Sequence, residues 1–188
     1  MKPMRTERLI LRNWEDRDRE LFFRINSEDR VMEFFPFRRD RAEANAFMDH
    51  LRAGIAACGY GFTAAEIAET GECIGFVGIK ETDLAPFVPK GRLEIGWRLA
   101  PEFWGKGYVT EASRRWLDFA FEELDAPEVA SFAVWNNRRS LAVMQRLGMR
   151  LDGAFDHPHV PDTHPQFRRH ILYRLSRDDW ARKRSAIE

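Results

Sequence analysis

Apolar and polar residues alternate strictly from Leu93 to Leu99, with Leu93, Ile95, Trp97 and Leu99 interleaved with Glu94, Gly96 and Arg98. A period of two predicts a strand, and Pro101, which cannot donate to a ladder, predicts its end. Past two glycines the period lengthens. Ala112, Trp116, Ala120 and Leu124 recur every fourth residue, with Leu117 and Phe121 beside them. That spacing predicts a helix with one buried stripe. Upstream, Leu9, Ile10 and Leu11 suggest a short first strand. Residues 16–26 and 41–55 carry apolar positions at helical spacing: Leu21, Phe22 and Ile25 in the first, and Ala44, Phe47, Met48, Leu51 and Ile55 in the second. Residues 62–69 and 72–80 read as two strands around the turn Thr70-Gly71. The run from Cys73 to Ile79 is apolar on both faces and belongs in the middle of a sheet. A strand over 129–134 follows, then a helix over 140–147 closed by Gly148. Strands over 149–155 and 168–175 and a short terminal helix from Ser176 complete the chain. The order βααβββαβαββ predicts an α/β (mixed α+β) fold with a sheet between helices.

No repeat, low-complexity tract or linker interrupts this pattern, and 188 residues suit one domain, 1–188, with a sizeable core. Thirty basic residues balance thirty acidic ones, which argues against a nucleic-acid partner held by bulk charge. Cys58 and Cys73 are too few for a disulfide framework, and Cys73 reads as a small core residue. The amino-terminal residues lead into no long apolar run, so neither a signal peptide nor a membrane span is expected, and a cytoplasmic location is the natural default.

The candidate chemistry sits between the strand and the long helix, at Trp104-Gly105-Lys106-Gly107-Tyr108. Glycines allow a close approach of backbone to ligand, and the start of the following helix offers free N–H groups and a partial positive charge. Such a turn suits a phosphate or pyrophosphate. It also reads as an ordinary strand-to-helix loop. Two familiar phosphate motifs are excluded. A P-loop requires Ser or Thr after Gly-Lys, where this chain has Gly107, and a glycine five residues before Gly105, where it has Ala100. A dinucleotide fingerprint requires a third glycine, where this chain has Thr110.

Glu94-Ile95-Gly96-Trp97 followed by Ala100-Pro101-Glu102-Phe103-Trp104-Gly105-Lys106-Gly107-Tyr108-Val109-Thr110-Glu111-Ala112 resembles the acetyl-CoA motif of the GCN5-related N-acetyltransferases, the GNAT superfamily. Within it, the stretch is similar to the branch of the ribosomal-protein N-terminal acetyltransferases. The family pattern Arg/Gln-x-x-Gly-x-Gly/Ala falls on residues 104–109. Trp104 replaces its Arg or Gln, as is usual in this branch. Val109 replaces its small last residue, which implies a slightly displaced turn. The resemblance implies a mostly antiparallel mixed sheet splayed between its fourth and fifth strands, with acetyl-CoA as acyl donor. Trp97, Arg98, Leu99, Trp104, Gly105, Lys106, Gly107, Tyr108, Val109 and Thr110 would contact it. A second segment, Asn137-Arg138-Arg139-Ser140 through Leu147-Gly148-Met149, resembles the family's Asn-x-x-Ser…Leu-Gly-Phe. It implies that Asn137 bonds the pantetheine amides, although Asn137 also reads as a simple helix cap.

Acetyl transfer to an amine needs a neutral amine, a stabilised oxyanion and a proton for the thiolate. Glu94 occupies the strand position where many members carry the base, and it also reads as a solvated strand glutamate. Met144 stands where many members carry an acidic tyrosine and cannot donate a proton. The resemblance to the ribosomal branch therefore passes that role to Ser140, whose hydroxyl could alternatively bond the backbone. A backbone N–H around Trp97, Arg98 and Leu99 would meet the oxyanion. The aromatic run Phe34-Phe35-Pro36-Phe37 reads as core, and the family places an acceptor wall there. His157, His159 and His164 lack a typical metal spacing, so no metal is expected. Arg168 and Arg169 could meet an acidic acceptor or be surface charge. The expected partner is a small-molecule or peptide amine, with a monomer or homodimer as the assembly. An acyl-CoA-binding module without catalysis and a transferase for a larger acyl group, such as succinyl, are the alternatives.

Overall fold

Thr6 turns the chain between a two-residue strand, β1 (Met4–Arg5), and β2 (Leu9–Arg12): its hydroxyl accepts the Leu9 N–H at 2.9 Å. The structure is a computed structural model that describes residues 1–185. A 3-10 turn at Asp16–Asp18 leads into α1 (Arg19–Ser27). The second helix, α2 (Arg41–Cys58), opens on a reciprocal cap: Asp40 accepts the Glu43 N–H at 2.8 Å, and Glu43 accepts the Asp40 N–H at 3.0 Å. Gly59, at φ +83°, ends it. Then come β3 (Phe62–Ile67), β4 (Cys73–Glu81), β5 (Leu93–Leu99), α3 (Tyr108–Asp118), β6 (Glu128–Val134), α4 (Arg138–Leu147), β7 (Arg150–Asp156), β8 (Arg169–Ser176) and α5 (Arg177–Ser185). The strands hydrogen-bond in the order β1-β2-β3-β4-β5-β6-β8-β7, a mixed sheet as expected. The pairs β1–β2, β2–β3, β3–β4, β6–β8 and β7–β8 are antiparallel, and β5–β6 is parallel.

The chain forms two compact units, Met1–Lys80 with Gly96–Arg115, and Glu81–Ile95 with the chain from Trp116 onward. In the first unit α1 packs on α2 and α2 on β3. Trp14, Phe22, Ile25, Met48 and Ile55 are fully buried. β4 is buried from Ile74 to Ile79, as its apolar faces predict. Its glycines allow the backbones to close up: a Cβ at Gly75 would lie 2.2 Å from the Arg98 carbonyl oxygen, and one at Gly78 only 1.8 Å from that of Gly61. Arg12 is buried there too, with Nη1 and Nη2 on Asp18 at 2.7 and 2.9 Å and Nε on Glu66 at 2.7 Å. Burial opposes its charge, but the bonds to Asp18 and Glu66 outweigh it and raise its pKa.

In the second unit α4 packs on β6 and α5 on β8. Leu84, Val88, Ala130, Phe155 and Leu172 form a core against which Phe87 and Phe132 pack. Val143, Met144 and Leu147 of α4 are buried, as the helical spacing predicts. Leu124 departs from its expected stripe and is 36% exposed. Residues Phe119–Glu123 form a π turn, with the Leu124 N–H bonding the Phe119 carbonyl at 3.1 Å. The wider turn takes in an extra residue and rotates Leu124 off the 3.6-residue stripe.

Candidate active site

The glycine loop and the strand segment before it lie in the first unit. The indole N–H of Trp104 donates to the Leu99 carbonyl at 2.8 Å and ties the loop to the end of β5. Gly105 and Gly107 both sit in the left-handed region, at φ +74° and +81°, which only glycine occupies without strain. Gly105, Lys106 and Gly107 are exposed. The helix begins earlier than its apolar stripe suggested: Tyr108, Val109 and Thr110 form the first turn of α3 rather than loop. Gly107 precedes that turn and has no side chain with which to cap it. The Glu111 N–H bonds the Gly107 carbonyl at 3.0 Å, so the amides of Tyr108, Val109 and Thr110 come before the first bond of the helix. Exposed glycines running into such amides are suited to an anion.

A clamp with no counterpart in the sequence pattern holds this turn. Glu111 accepts from the Thr6 hydroxyl at 2.5 Å, from the Arg8 backbone N–H at 2.7 Å and from Arg8 Nε at 2.7 Å. Arg8 Nη1 donates to the Lys106 carbonyl between the two glycines at 3.0 Å, and its guanidinium lies 4.6 Å from the centre of the Tyr108 ring. Burial raises the Glu111 pKa, but the bonds from Thr6 and Arg8 outweigh it and leave the carboxyl below its ordinary value. These partners are more than a hundred residues apart, so no local pattern links them.

In the strand segment, Trp97 and Arg98 are half-buried and Leu99 is buried. The Arg98 side chain donates to Asn26 Oδ1 at 2.5 Å. The sequence pattern assigns this residue a backbone role alone.

Glu94, Asn137 and Ser140 lie in the second unit. Glu94 pairs with Ala130 in the parallel ladder and is half-buried, between Leu93 and Ile95, which are 6% and 2% exposed. That ladder holds only Leu93–Val129 and Glu94–Ala130, and beyond it the Ser131 hydroxyl donates to the Ile95 carbonyl at 3.0 Å. Asn137 caps α4: its Oδ1 accepts the Ser140 N–H at 3.2 Å, which leaves the amide NH2. The Ser140 hydroxyl has no protein hydrogen-bond partner among the described residues, so it does not bond the backbone. In the histidine loop His157 lies 4.8 Å from His170 and 5.5 Å from His159, centre to centre. Among the described residues no group of three His, Cys, Asp or Glu is placed to hold a metal. Arg168 and Arg169 pair with Asp162 and Asp156 at 2.9 and 3.3 Å. No helix among the described residues is long and apolar enough to cross a membrane.

The acetyltransferase (GNAT) domain family matches residues 8–150, most of the chain and both motif segments. The chain belongs to the GNAT acetyltransferase family. It is an acyl-CoA-dependent acetyltransferase by that membership. Its relatives include "Putative ribosomal N-acetyltransferase YdaF" of Bacillus subtilis, 30% identical over 188 residues, covering 96% of this chain and 90% of the relative. They also include the "FsC-acetyl coenzyme A-N(2)-transacetylase" of Aspergillus fumigatus, 29% identical over 187 residues, covering 95% of this chain and 78% of the relative. The crystal structure of the acetyltransferase from Agrobacterium tumefaciens aligns at a TM-score of 0.72 with 31% identity, covering 93% of this chain and 94% of that one. The first of these names agrees with the ribosomal-protein branch indicated by Trp104 and Ser140.

Proposed function

We propose that this protein transfers the acetyl group of acetyl-CoA to a primary amine, of a small molecule or a protein N-terminus, by direct attack. The observation that carries the reading is the start of α3. Two left-handed glycines, Gly105 and Gly107, run directly into the amides of Tyr108, Val109 and Thr110, and the Arg8–Glu111 clamp sets their position. Those amides would take the pyrophosphate, with Lys106 beside them as a cation and Trp104 fixing the loop to β5. Asn137 uses its oxygen within α4 and retains an NH2 for a pantetheine carbonyl.

Each remaining role has one candidate. Glu94 removes the proton from the ammonium form of the acceptor, directly or through water. The neutral nitrogen attacks the thioester carbon, and the oxygen that gains charge is met by a backbone N–H of the segment Trp97, Arg98 and Leu99. The carbon–sulfur bond then breaks, Ser140 supplies the proton to the departing thiolate, and the proton that the nitrogen loses on becoming an amide restores the serine hydroxyl. Its unpartnered hydroxyl supports that assignment.

The test is thiol release from acetyl-CoA across a panel of amines and peptides with varied N-termini. Turnover is expected with one acceptor class. Glu94→Gln or Ser140→Ala should lower kcat by about 10²–10⁴, the usual range for general acid–base groups, while CoA still shifts thermal unfolding. Binding of CoA without turnover on any amine would make the protein a binding module. Failure to bind CoA would overturn the assignment of the glycine turn.

A further inference from the structure

The first unit sets two arginines in opposite surroundings. Arg12 is neutralised by two carboxylates, Asp18 and Glu66. Arg98 has none. Its Nη1 donates to the amide oxygen of Asn26 at 2.5 Å, and the same oxygen accepts Arg39 Nη1 at 3.2 Å. Two cations therefore share one neutral acceptor. Asn26 is fully buried and fixed by its own NH2, which donates to the Phe22 carbonyl at 2.7 Å. The walls are aromatic. The Arg98 guanidinium lies 4.4 Å from the Phe35 ring centre and 5.4 Å from that of Phe76, and Arg39 lies 4.6 and 4.3 Å from those of Phe37 and Phe47. Neither arginine forms an ion pair among the described residues. Glu43, the carboxylate that acts on Arg39 from a distance, is held by the cap of α2. Arg98 Nε is sealed from solvent and has no partner.

Two like charges in a half-buried site repel, and ring faces compensate them only in part. Burial, with Arg39 adding to it, pushes the Arg98 pKa down to about 9, whereas that of Arg12 is raised. An arrangement that is unfavourable when empty becomes favourable when an anion enters. Nε and Nη2 of Arg98 form no hydrogen bond among the described residues, and once a shift of the side chain uncovers Nε, their two parallel N–H groups have the spacing that matches the two oxygens of a carboxylate. Apolar walls favour a monoanionic carboxylate over a dianionic, strongly hydrated phosphate.

We propose that Arg98 and Arg39, seated on Asn26 between Phe35 and Phe76, form a carboxylate-binding subsite that selects an amine acceptor carrying a carboxylate group. The link to the acceptor rests on the proposed acetyl transfer, because Arg98 extends from the backbone segment assigned to the oxyanion. The binding site itself does not depend on that reading.

Two measurements on the full chain keep these apart. The first is thermal unfolding without CoA, at constant ionic strength, with added butyrate, inorganic phosphate or butylamine. Butyrate should raise the midpoint saturably and by more than phosphate does, and butylamine should not raise it. Arg98→Met should raise the midpoint of the ligand-free protein, by removing an unneutralised charge, and abolish the butyrate shift. Arg39→Met should weaken the shift, and Arg98→Lys, which keeps a charge but loses the fork, should reduce it at least about tenfold in apparent affinity. A butyrate shift unchanged in these variants, a larger shift from phosphate, or a ligand-free Arg98→Met protein less stable than wild type would overturn the subsite. The second measurement compares kcat/KM for amino acids with that for their carboxamides. A preference of at least about tenfold for the carboxylate, collapsing in Arg39→Met, is expected. Equal use of both would overturn acceptor selection while leaving acetyl transfer standing. An Arg98-dependent butyrate shift with no transfer to any amine would keep the subsite and remove the proposed reaction.

Discussion

Two helices of this protein follow a strand through a short turn, and they treat their first amides differently. α4 is capped by its own chain: Asn137 accepts the Ser140 N–H, and the cap is complete within four residues. α3 has Gly107 at the equivalent place, no side chain to cap with, and exposed glycine backbone before it. Its stabilisation comes from outside the helix, from Thr6 and Arg8 on Glu111 and from Arg8 on the Lys106 carbonyl. A local cap satisfies a donor and so occupies it. A remote clamp fixes the turn while leaving its donors for a ligand. On the proposed function, the difference is that between a helix start built for stability and one built for binding.

Removing the clamp breaks that comparison most sharply. Arg8→Ala deletes the side-chain bonds to Glu111 and Lys106, keeps the backbone N–H on Glu111, and leaves the left-handed glycines freer to move. CoA affinity should fall about tenfold or more, which is about 1.4 kcal/mol, and isothermal titration would read it. Stability should fall by only about 1 kcal/mol, because the Arg8 side chain is 44% exposed and solvent screens its pair. Unfolding in urea checks this. A larger loss of stability than of affinity would make the clamp a fold element rather than a device of the binding turn.

How far these features were legible in the chain depends on the range over which each is encoded. The strand at Leu93–Leu99, the buried β4 and the αL stop of α4 at Gly148 depend on neighbours a few residues away, and alternation, apolar runs and glycine placement display them. The glycine turn was visible for the same reason. The clamp was not, because Arg8 and Glu111 are ordinary surface residues in their own segments, and only the fold joins them. Likewise Arg98 reads as the polar residue of an alternating strand, and nothing nearby shows that its partner would be Asn26 rather than an acid. Leu124 was misplaced because the π turn before it has no signature in a 3.6-residue pattern.

Asn137 sharpens the comparison from the other side. Its oxygen caps α4, and its NH2 is assigned to the pantetheine. Asn137→Ser keeps a cap and removes the NH2. Asn137→Ala removes both. Serine should preserve stability within a few tenths of a kcal/mol, whereas alanine should lower it by about 1 kcal/mol. Both should weaken CoA by the same few-fold factor, about 1 kcal/mol for one neutral hydrogen bond. If serine restores CoA affinity as well as stability, Asn137 is a cap and nothing more.

The mildest probe is acid. Bonds from Thr6 and Arg8 hold the Glu111 carboxyl below its ordinary value despite burial, so folded protein keeps this group ionised at pH values where unfolded chain has protonated it. The unfolded state therefore binds more protons across that window, and stability rises with pH through it. The contribution is complete above the ordinary glutamate value, roughly pH 4.3, and disappears as pH falls through the lower folded value. Other carboxylates titrate alongside it, and the signal is the difference between wild type and Glu111→Gln. The two stability curves should converge as the pH drops below the ordinary glutamate range, and CoA affinity should lose its clamp-dependent part over the same interval. α4 provides the internal control, because its cap is an amide that does not titrate. Local hydrogen exchange at the start of α3 should rise relative to that at the start of α4 as the pH falls, after correction for the intrinsic pH dependence of exchange. Parallel behaviour at both helix starts would mean that the carboxylate contributes no specific hold on the binding turn.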